Sequence, residues 1–276
     1  MACISWCSWM KPGFSTSIYY DEPNVISTLR TESKPKNIDL IVQAIRCFPI
    51  MMLRKETFPW FIHRQSDVSD VLATCMGISQ MFVMRTKETK SLIWSSIRVE
   101  HLKFLSQVDS LSLPDTITAL QACMIYFIMF LVDEDQNYSE ALCLLLTLQT
   151  LSMKWKNESK SSKSESWNDW IIEESQNRLS ILWLLIGFVI SMKNGLIFDT
   201  TKSYIQLNLP SSRYLWEAPS AVIWHQEQRS GLSHSSLRTI GELVDAQSLA
   251  YSEELDKWNA STDGSGSLLN MFGGMI

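Results

Sequence analysis

Two long apolar segments, residues 117–132 and 179–192, place the strongest constraint on how this chain can fold. Both are shorter than the roughly 20 residues that a helix needs to cross a bilayer, so buried helices explain them better than membrane spans. The chain has 276 residues, of which 46% are hydrophobic, and can therefore bury a sizeable core. Its 10 glycines argue against an all-β fold or a glycine-loop nucleotide fold. We expect an intracellular, soluble protein.

Apolar positions elsewhere in the chain recur at helical spacing, with prolines and polar residues between the segments. Because no block of strand-like alternation interrupts them, the predicted fold class is all-α: a single large domain of stacked, mostly antiparallel helices. The predicted helices cover residues 37–49, 68–85, 92–108, 114–132, 141–153, 167–193, 212–226 (interrupted at Pro219) and 233–258. The third of these is predicted to bury Leu92, Ile93, Ile97, Leu102, Leu105 and Val108.

Changes in composition divide the chain into three regions. Residues 1–36 are irregular in pattern and contain several prolines, so they are predicted to be a loosely structured N-terminal lead-in. Residues 37–260 form the helical domain. Within it, residues 154–165 are a Ser/Lys/Glu run that cannot bury apolar surface and is predicted to be a solvated loop. Residues 261–276 are predicted to be a flexible tail.

Three aromatic and charged motifs stand out from this helical pattern. The first, F-P-W-F-I-H at residues 58–63, lies on a connector that its proline forces into an extended or turn conformation. The second, W-x-x-W-x-x-E-E-S-x-x-R-L at residues 167–179, opens a helix behind a capping box that begins at Ser166. The third, L-P-S-S-R-Y-L-W-E-A-P-S at residues 209–220, is followed by one more tryptophan. The residues that carry these motifs are Phe58, Pro59, Phe61, His63, Trp167, Trp170, Glu173, Glu174, Arg178, Pro210, Leu215, Trp216 and Trp224.

In this order, the motifs resemble the regulatory middle region of fungal zinc-cluster transcription factors, and the resemblance covers roughly residues 39–258. It implies a helical regulatory domain that controls transcription in the nucleus, with the cytoplasm as a second location and a secondary-metabolite gene cluster as a candidate target. It also implies action through protein partners: the chain itself, a full-length zinc-cluster factor or the transcription machinery. We expect no enzyme activity and no membrane partner.

Two departures from the family pattern affect this interpretation. The family often has a second arginine beside the position of Arg178, where this chain has Gln176 and Asn177, so an acidic–basic network is thinner here. The family's zinc cluster needs six closely spaced cysteines, since zinc takes about four ligands, whereas Cys3 and Cys7 are followed by no cysteine until residue 47. With a net charge of -5 and no basic stripe, the chain is expected to bind DNA little or not at all alone, and to hold no metal or cofactor.

The charged residues and the histidine in the motifs each admit two interpretations. Glu174 and Arg178 are four residues apart, the spacing of an ion pair on a helix surface. A structural salt bridge that also involves Glu173 is favoured over a regulatory polar network that responds to a partner. For His63, a structural hydrogen-bonded role is favoured over that of a ligand or a base.

The tryptophans are predicted to fill the core between helices, although a pocket for a small-molecule effector is a second hypothesis. The residues concerned are Trp167, Trp170, Trp183, Trp216 and Trp224.

An enzyme of secondary metabolism that acts on a prenyl diphosphate is the alternative function. Such helical enzymes hold magnesium through carboxylates on one helix face, and the acidic run at residues 133–135 is the candidate. The three carboxylates are contiguous and point different ways, so a helix terminus explains them better. A truncated or decayed regulator without activity is a third hypothesis.

Overall fold

The computed structural model describes residues 34–64, 68–133, 138–159, 166–193, 204–230 and 235–276. Within these ranges the chain forms helices, short 3-10 turns and one isolated bridge between Asn208 and Thr239, with no strand. The predicted all-α class is therefore confirmed. The helices are α1 (Lys34–Arg46), α2 (Phe48–Met51), α3 (Asp70–Val83), α4 (Lys90–Ser106), α5 (Leu113–Val132), α6 (Tyr138–Glu158), α7 (Trp167–Lys193), α8 (Arg213–Trp216), α9 (Ala221–Ser230), α10 (Ile240–Gln247), α11 (Glu253–Ser261) and α12 (Gly264–Gly273).

The chain divides into two compact units, with one boundary near the end of α1 and the other within α7. The central unit contains residues 44–175, with helices α2 to α6 and the beginning of α7. The terminal unit contains residues 1–43 and 176–276, with most of α1, the remainder of α7 and α8 to α12.

Helix α5 forms the core of the central unit and packs against α2, α3, α4 and α6. Its start follows from Ser112, whose Oγ accepts a hydrogen bond from the Asp115 amide at 3.3 Å, and from Pro114 in the first turn. Every residue from 116 to 130 is buried except Thr118. A helix that is apolar around its whole circumference is stable only when neighbours cover every face, as the segment 117–132 predicts.

Two described helices, α5 and α7, are long and apolar enough to cross a membrane by length and composition. Both agree closely with the predicted helices 114–132 and 167–193, and each is longer than its apolar segment because the helix begins in the residues that precede that segment. In the most apolar stretch of each helix, 78% of α5 and 61% of α7 is buried inside the protein. Core helices of a folded domain have this arrangement.

Helix α4 buries a different stripe from the predicted one. Ile93 and Ile97 are buried as expected, but the stripe continues through His101 and Phe104. Leu92 is 60% exposed. The prediction is wrong at Leu92 and at Leu102, also exposed, because hydrophobicity alone cannot show that His101 turns inward to Thr147, whose Oγ1 lies 3.2 Å from its Nδ1.

In the terminal unit, the single helix predicted over residues 233–258 is wrong: two helices, α10 and α11, form instead. Thr239 and Glu242 make a capping box at the start of α10. Ser252 caps α11 by accepting a hydrogen bond from the Leu255 amide at 3.2 Å. Two separate N-caps in one apolar-periodic segment start two helices, since each cap satisfies amides that a continuous helix would use internally.

The predicted flexible tail is wrong as well, because residues 264–273 form α12. Asp263 caps this helix, its Oδ1 accepting a hydrogen bond from the Ser265 amide at 2.9 Å. Leu268, Leu269 and Phe272 are buried. Burial of these apolar side chains supplies the free energy that orders the segment.

Other boundaries differ at their edges. The loop predicted over residues 154–165 is wrong for 154–158, which continue α6, and residues 160–165 lie outside the described part. Of the predicted lead-in, residues 1–33 lie outside the described residues and the rest begins α1. The helix predicted over 212–226 forms as α8 and α9, with the expected break at Pro219.

Candidate functional site

The F-P-W-F-I-H connector is a non-helical turn in the central unit, as its proline predicts. Phe58 has extended backbone dihedrals, φ -50° and ψ 142°, and the Ile62 amide donates to the Pro59 carbonyl at 2.8 Å. This turn directs the side chains of Phe58, Phe61 and Ile62 inward, where at most 3% of each is exposed. The connector therefore contributes three buried side chains to the core of the central unit.

Edge-on contacts between aromatic rings and one side-chain hydrogen bond hold the connector in place. The ring of Phe61 meets those of Phe48 and Trp60 edge-on, with centroids 5.6 and 5.7 Å away. The Phe61 carbonyl accepts a hydrogen bond from Nε2 of Gln121 on α5 at 2.9 Å, so this buried backbone group is satisfied. The connector is thus fixed to the core helix.

His63 ends the connector and contacts the start of α7. Its ring meets the Trp167 ring edge-on, with centroids 5.9 Å apart, and 8% of the residue is exposed. Trp167 follows the helix cap at Ser166, whose Oγ accepts a hydrogen bond from the Asp169 amide at 3.2 Å, one of the two hydrogen bonds of the predicted capping box. The first and second motifs therefore meet in the central unit through this ring pair.

A cavity of about 90 Å³ lies beside the connector. Apolar and polar side chains both line it, the polar ones including His63, Gln121 and Ser175, and most of the surface that faces the cavity is polar. Small-molecule sites usually enclose about 300–1,000 Å³, so a cavity of this size admits water molecules but no metabolite without rearrangement. None of the five tryptophans considered for an effector pocket lines it.

The acidic residues of the second motif lie on different sides of α7. Glu173 is exposed, and partial burial together with the nearby Asp169 carboxylate raises its pKa above the ordinary value. Glu174 is buried, and Trp170 is partly exposed. The ion pair between Glu174 and Arg178 remains a prediction.

Arg178 is the most completely buried charged residue of the motifs, with 0% of its surface exposed. Its Nη1 lies 2.5 Å from Oδ2 of Asp263, and its Nη2 donates to the Ser211 carbonyl at 3.0 Å. The guanidinium carbon lies 4.3 Å above the Trp216 ring. A carboxylate, a carbonyl and an aromatic face together compensate the cost of burying the charge. One side chain thus joins α7 to the third motif and to α12.

The third motif packs around this arginine in the terminal unit. Pro210, Leu215, Trp216 and Trp224 are all buried. Asn177 donates from Nδ2 to the Leu209 carbonyl at 3.3 Å, which adds a second tie between α7 and this segment. One of the two neighbours of Arg178 that were considered in the sequence, Asn177, therefore makes a neutral hydrogen bond here.

The structure thus gathers the predicted residues into two groups, one in each unit. The connector joins Trp167 in the central unit, and Arg178 joins Trp216 in the terminal unit. Sequence reasoning missed Asp263, because the surrounding segment was taken as a tail. An aspartate just before a Ser/Gly-rich turn and the apolar run 268–272 is an N-cap signal that could have identified it.

Asp133, the described member of the acidic run, makes structural contacts. Its Oδ2 accepts a hydrogen bond from Trp94 Nε1 at 3.0 Å, and its Oδ1 lies 2.9 Å from Lys90 Nζ. The other two carboxylates of the run lie outside the described residues. Among the residues that the structure does describe, no group of three or more His, Cys, Asp or Glu side chains could hold a metal ion.

Comparison with curated proteins finds a relative named Transcription factor gsfR2, from Penicillium aethiopicum, that is 27% identical over 192 residues. The matched region covers 60% of this chain and 45% of the relative, so the chain spans less than half the relative's length. No family model and no solved structure matches the chain. The distant match suggests a protein of the fungal transcription-factor family.

Proposed function

We propose that this chain regulates the transcription of fungal genes through protein–protein contacts made by its helical domain. The observation that carries the proposal is the match to a relative named as a transcription factor, over 60% of the chain. The motifs that resemble the regulatory region of fungal zinc-cluster factors support it. Their residues pack and hydrogen-bond with other parts of the helical domain, as residues of a scaffold do. His63 packs on Trp167, and Arg178 binds Asp263 and Ser211.

The contacts of the charged motif residues favour a scaffold over a reaction centre. General acid–base chemistry needs a titratable group that can reach a substrate. Arg178 is fully buried and engaged by protein groups on three sides, and Glu173 lies on the surface and does not line the cavity beside the connector. Asp133 is engaged by Lys90 and Trp94, and this weakens the prenyl diphosphate alternative, which needs that carboxylate for magnesium.

The partners of this regulator are the finer part of the proposal. The candidates are a second copy of the chain, a full-length zinc-cluster factor and the transcription machinery, acting in the nucleus on targets such as a secondary-metabolite gene cluster. A net charge of -5 supports recruitment by protein contacts, since proteins that grip DNA rely on basic surfaces. A small-molecule effector would have to open the cavity beside the connector or bind elsewhere.

The test of the proposal is transcript profiling of a strain that lacks the gene, complemented with the wild-type chain or with an empty vector. A regulator changes a defined set of transcripts, and the wild-type chain restores them. No reproducible change under conditions in which the protein is present would overturn the proposal. Turnover of prenyl diphosphates by the purified protein with magnesium would establish the alternative instead.

Direct DNA binding is tested separately by gel shift with the purified chain. We expect weak binding that disappears as the salt concentration rises. Non-specific binding is driven by the release of counterions from the DNA phosphates, and added salt makes that release less favourable. Tight, salt-resistant binding to one sequence would contradict the proposed dependence on protein partners.

A further inference from the structure

Helices α4 and α6 of the central unit each expose a row of large apolar side chains to solvent. At least half of each of these side chains is exposed, and soluble monomers rarely leave so many close together. The exposed fractions are 60% for Leu92, 65% for Val99 and 50% for Leu102 on α4, and 55% for Leu142, 56% for Leu146 and 50% for Met153 on α6. We call these six residues the outer face.

The spacing of the outer face is that of a helix–helix seam. Along each helix, apolar or small polar residues recur alternately three and four positions apart, as the a and d positions of a heptad do. These positions are Leu92, Ser95, Val99, Leu102 and Ser106 on α4, and Leu142, Leu146, Gln149 and Met153 on α6. A strict stripe of this kind is the narrow face that one helix presents to another, so the surface fits a helical partner.

The two rows lie on the same side of the helix pair. Arg98 of α4 binds Glu140 of α6, and Thr147 of α6 meets His101 of α4, so the two helices run parallel and these contacts fix how each is rotated. At about 100° per residue, the outer face points about 110° away from the partner helix on α4 and about 140° away on α6, in both cases toward the same side of the pair. Helix α5 covers the opposite side of both.

Area and charge both favour a second copy of this chain as the partner. The six side chains present on the order of 600 Å² of apolar surface, close to the roughly 800 Å² that each partner buries in a stable interface. In a two-fold dimer the same surface meets itself, so a face of one charge sign would repel its copy. The seam positions carry no charge at all, and Arg98 and Glu140 beside them neutralise each other.

We propose that the outer face of α4 and α6 is a homodimer interface, in which the helix pairs of two copies pack across a two-fold axis. The inference rests on the proposed function, because the homodimer is one of the partners proposed there for the regulator. Its physical content is an oligomeric state, which is measured without any transcript. Failure of the dimer and failure of the transcript test are therefore distinguishable.

The first experiment compares two glutamate substitutions at equally exposed valines. Val99 on the outer face and Val222 on α9 are each 65% exposed, so neither change should perturb the fold of a single chain. Light scattering coupled to size exclusion should give the dimer mass for wild type and V222E, and the monomer mass for V99E. Circular dichroism confirms that both variants are folded, and L146E repeats the test from α6.

The second experiment uses exposed cysteines as reporters within the wild-type chain. Cys143 lies on α6 beside the outer face, whereas Cys47 lies before α2, and both cysteines are exposed and outside any disulfide. As protein concentration rises, alkylation followed by peptide mass spectrometry should show protection of Cys143 but not of Cys47. A monomeric wild type at concentrations on the order of 100 µM, or a dimer that V99E and L146E leave intact, would overturn the proposal.

Discussion

Nη1 of Arg178 lies 2.5 Å from Oδ2 of Asp263, although 85 residues separate the two in the chain. The arginine is fully buried, and 10% of the aspartate side chain is exposed. Asp263 also caps α12, because its other carboxylate oxygen accepts the Ser265 amide. One carboxylate thus neutralises a buried charge and starts the last helix of the terminal unit.

Replacement of Asp263 by asparagine should destabilise the protein by about 3 kcal/mol. Asparagine keeps the helix cap but removes the negative charge that Asp263 places 2.5 Å from the buried guanidinium of Arg178. Urea unfolding of the purified variant measures the loss. The control is Asp39→Asn, since Asp39 and Lys193 form an exposed pair 3.8 Å apart that should contribute less than about 1 kcal/mol. Equal effects in both variants would contradict the role of Asp263.

Replacement of Phe272 by alanine should cost about 3–5 kcal/mol of unfolding free energy. Its ring packs edge-on against Phe188 and Tyr204, with centroids 4.9 and 5.7 Å away, so truncation leaves a cavity in the terminal unit. Ile276→Ala, at a side chain that is 40% exposed, should change stability by less than about 1 kcal/mol. Thermal and urea unfolding compare the two, and an unaffected Phe272 variant would mean that α12 is loosely held.

The buried His101 should make the protein less stable as the pH falls below about 6.5. Burial lowers the pKa of His101, and the Arg98 charge lowers it further, while Glu140 opposes the shift. The unfolded chain therefore takes up a proton near the ordinary histidine pKa while the folded chain does not, and this favours unfolding progressively from that pH down to the folded pKa.

Unfolding free energies of wild type and His101→Asn between pH 7.5 and about pH 5 test this expectation. The variant should lose part of the wild-type pH dependence, whereas His225→Asn, at an exposed histidine on α9, should retain it. Identical slopes in wild type and His101→Asn would show that His101 does not contribute.

Gln121→Leu should destabilise the protein by roughly 1–3 kcal/mol. The substitution removes the donor to the Phe61 carbonyl, and the connector then has a buried backbone acceptor without its partner. Gln80→Leu, at an exposed glutamine of α3, is the matched control and should have little effect. A loss no greater than that of the control would mean that water replaces the amide.

Local signals predicted the helices that are specified by their own residues. The start of α5 was predicted from Pro114, and the Ser112 cap, which the prediction did not include, satisfies a further amide of the first turn. The start of α7 follows from Ser166 in the same way. Such caps involve residues no more than four positions apart, so they can be recognised from the sequence alone.

Two predictions failed where a side chain finds its partner far along the chain. The segment 261–276 looks like a polar, glycine-rich tail, and it becomes a helix because Phe272 meets Phe188 and because Asp263 meets Arg178. The buried stripe of α4 shifted for the same reason, since Thr147 on another helix receives His101. None of these partners lies within a helical turn of the residue it orders.

The sequence by itself determined the all-α class, the capped starts of α5 and α7 and the aromatic connector, because periodicity and capping depend on neighbours a few residues apart. Only the tertiary structure decided that Arg178 binds Asp263 and that α12 is packed. It also decided which leucines of α4 and α6 remain exposed. Burial and ion pairing depend on which distant segments meet, and that is a property of the folded packing rather than of any local pattern.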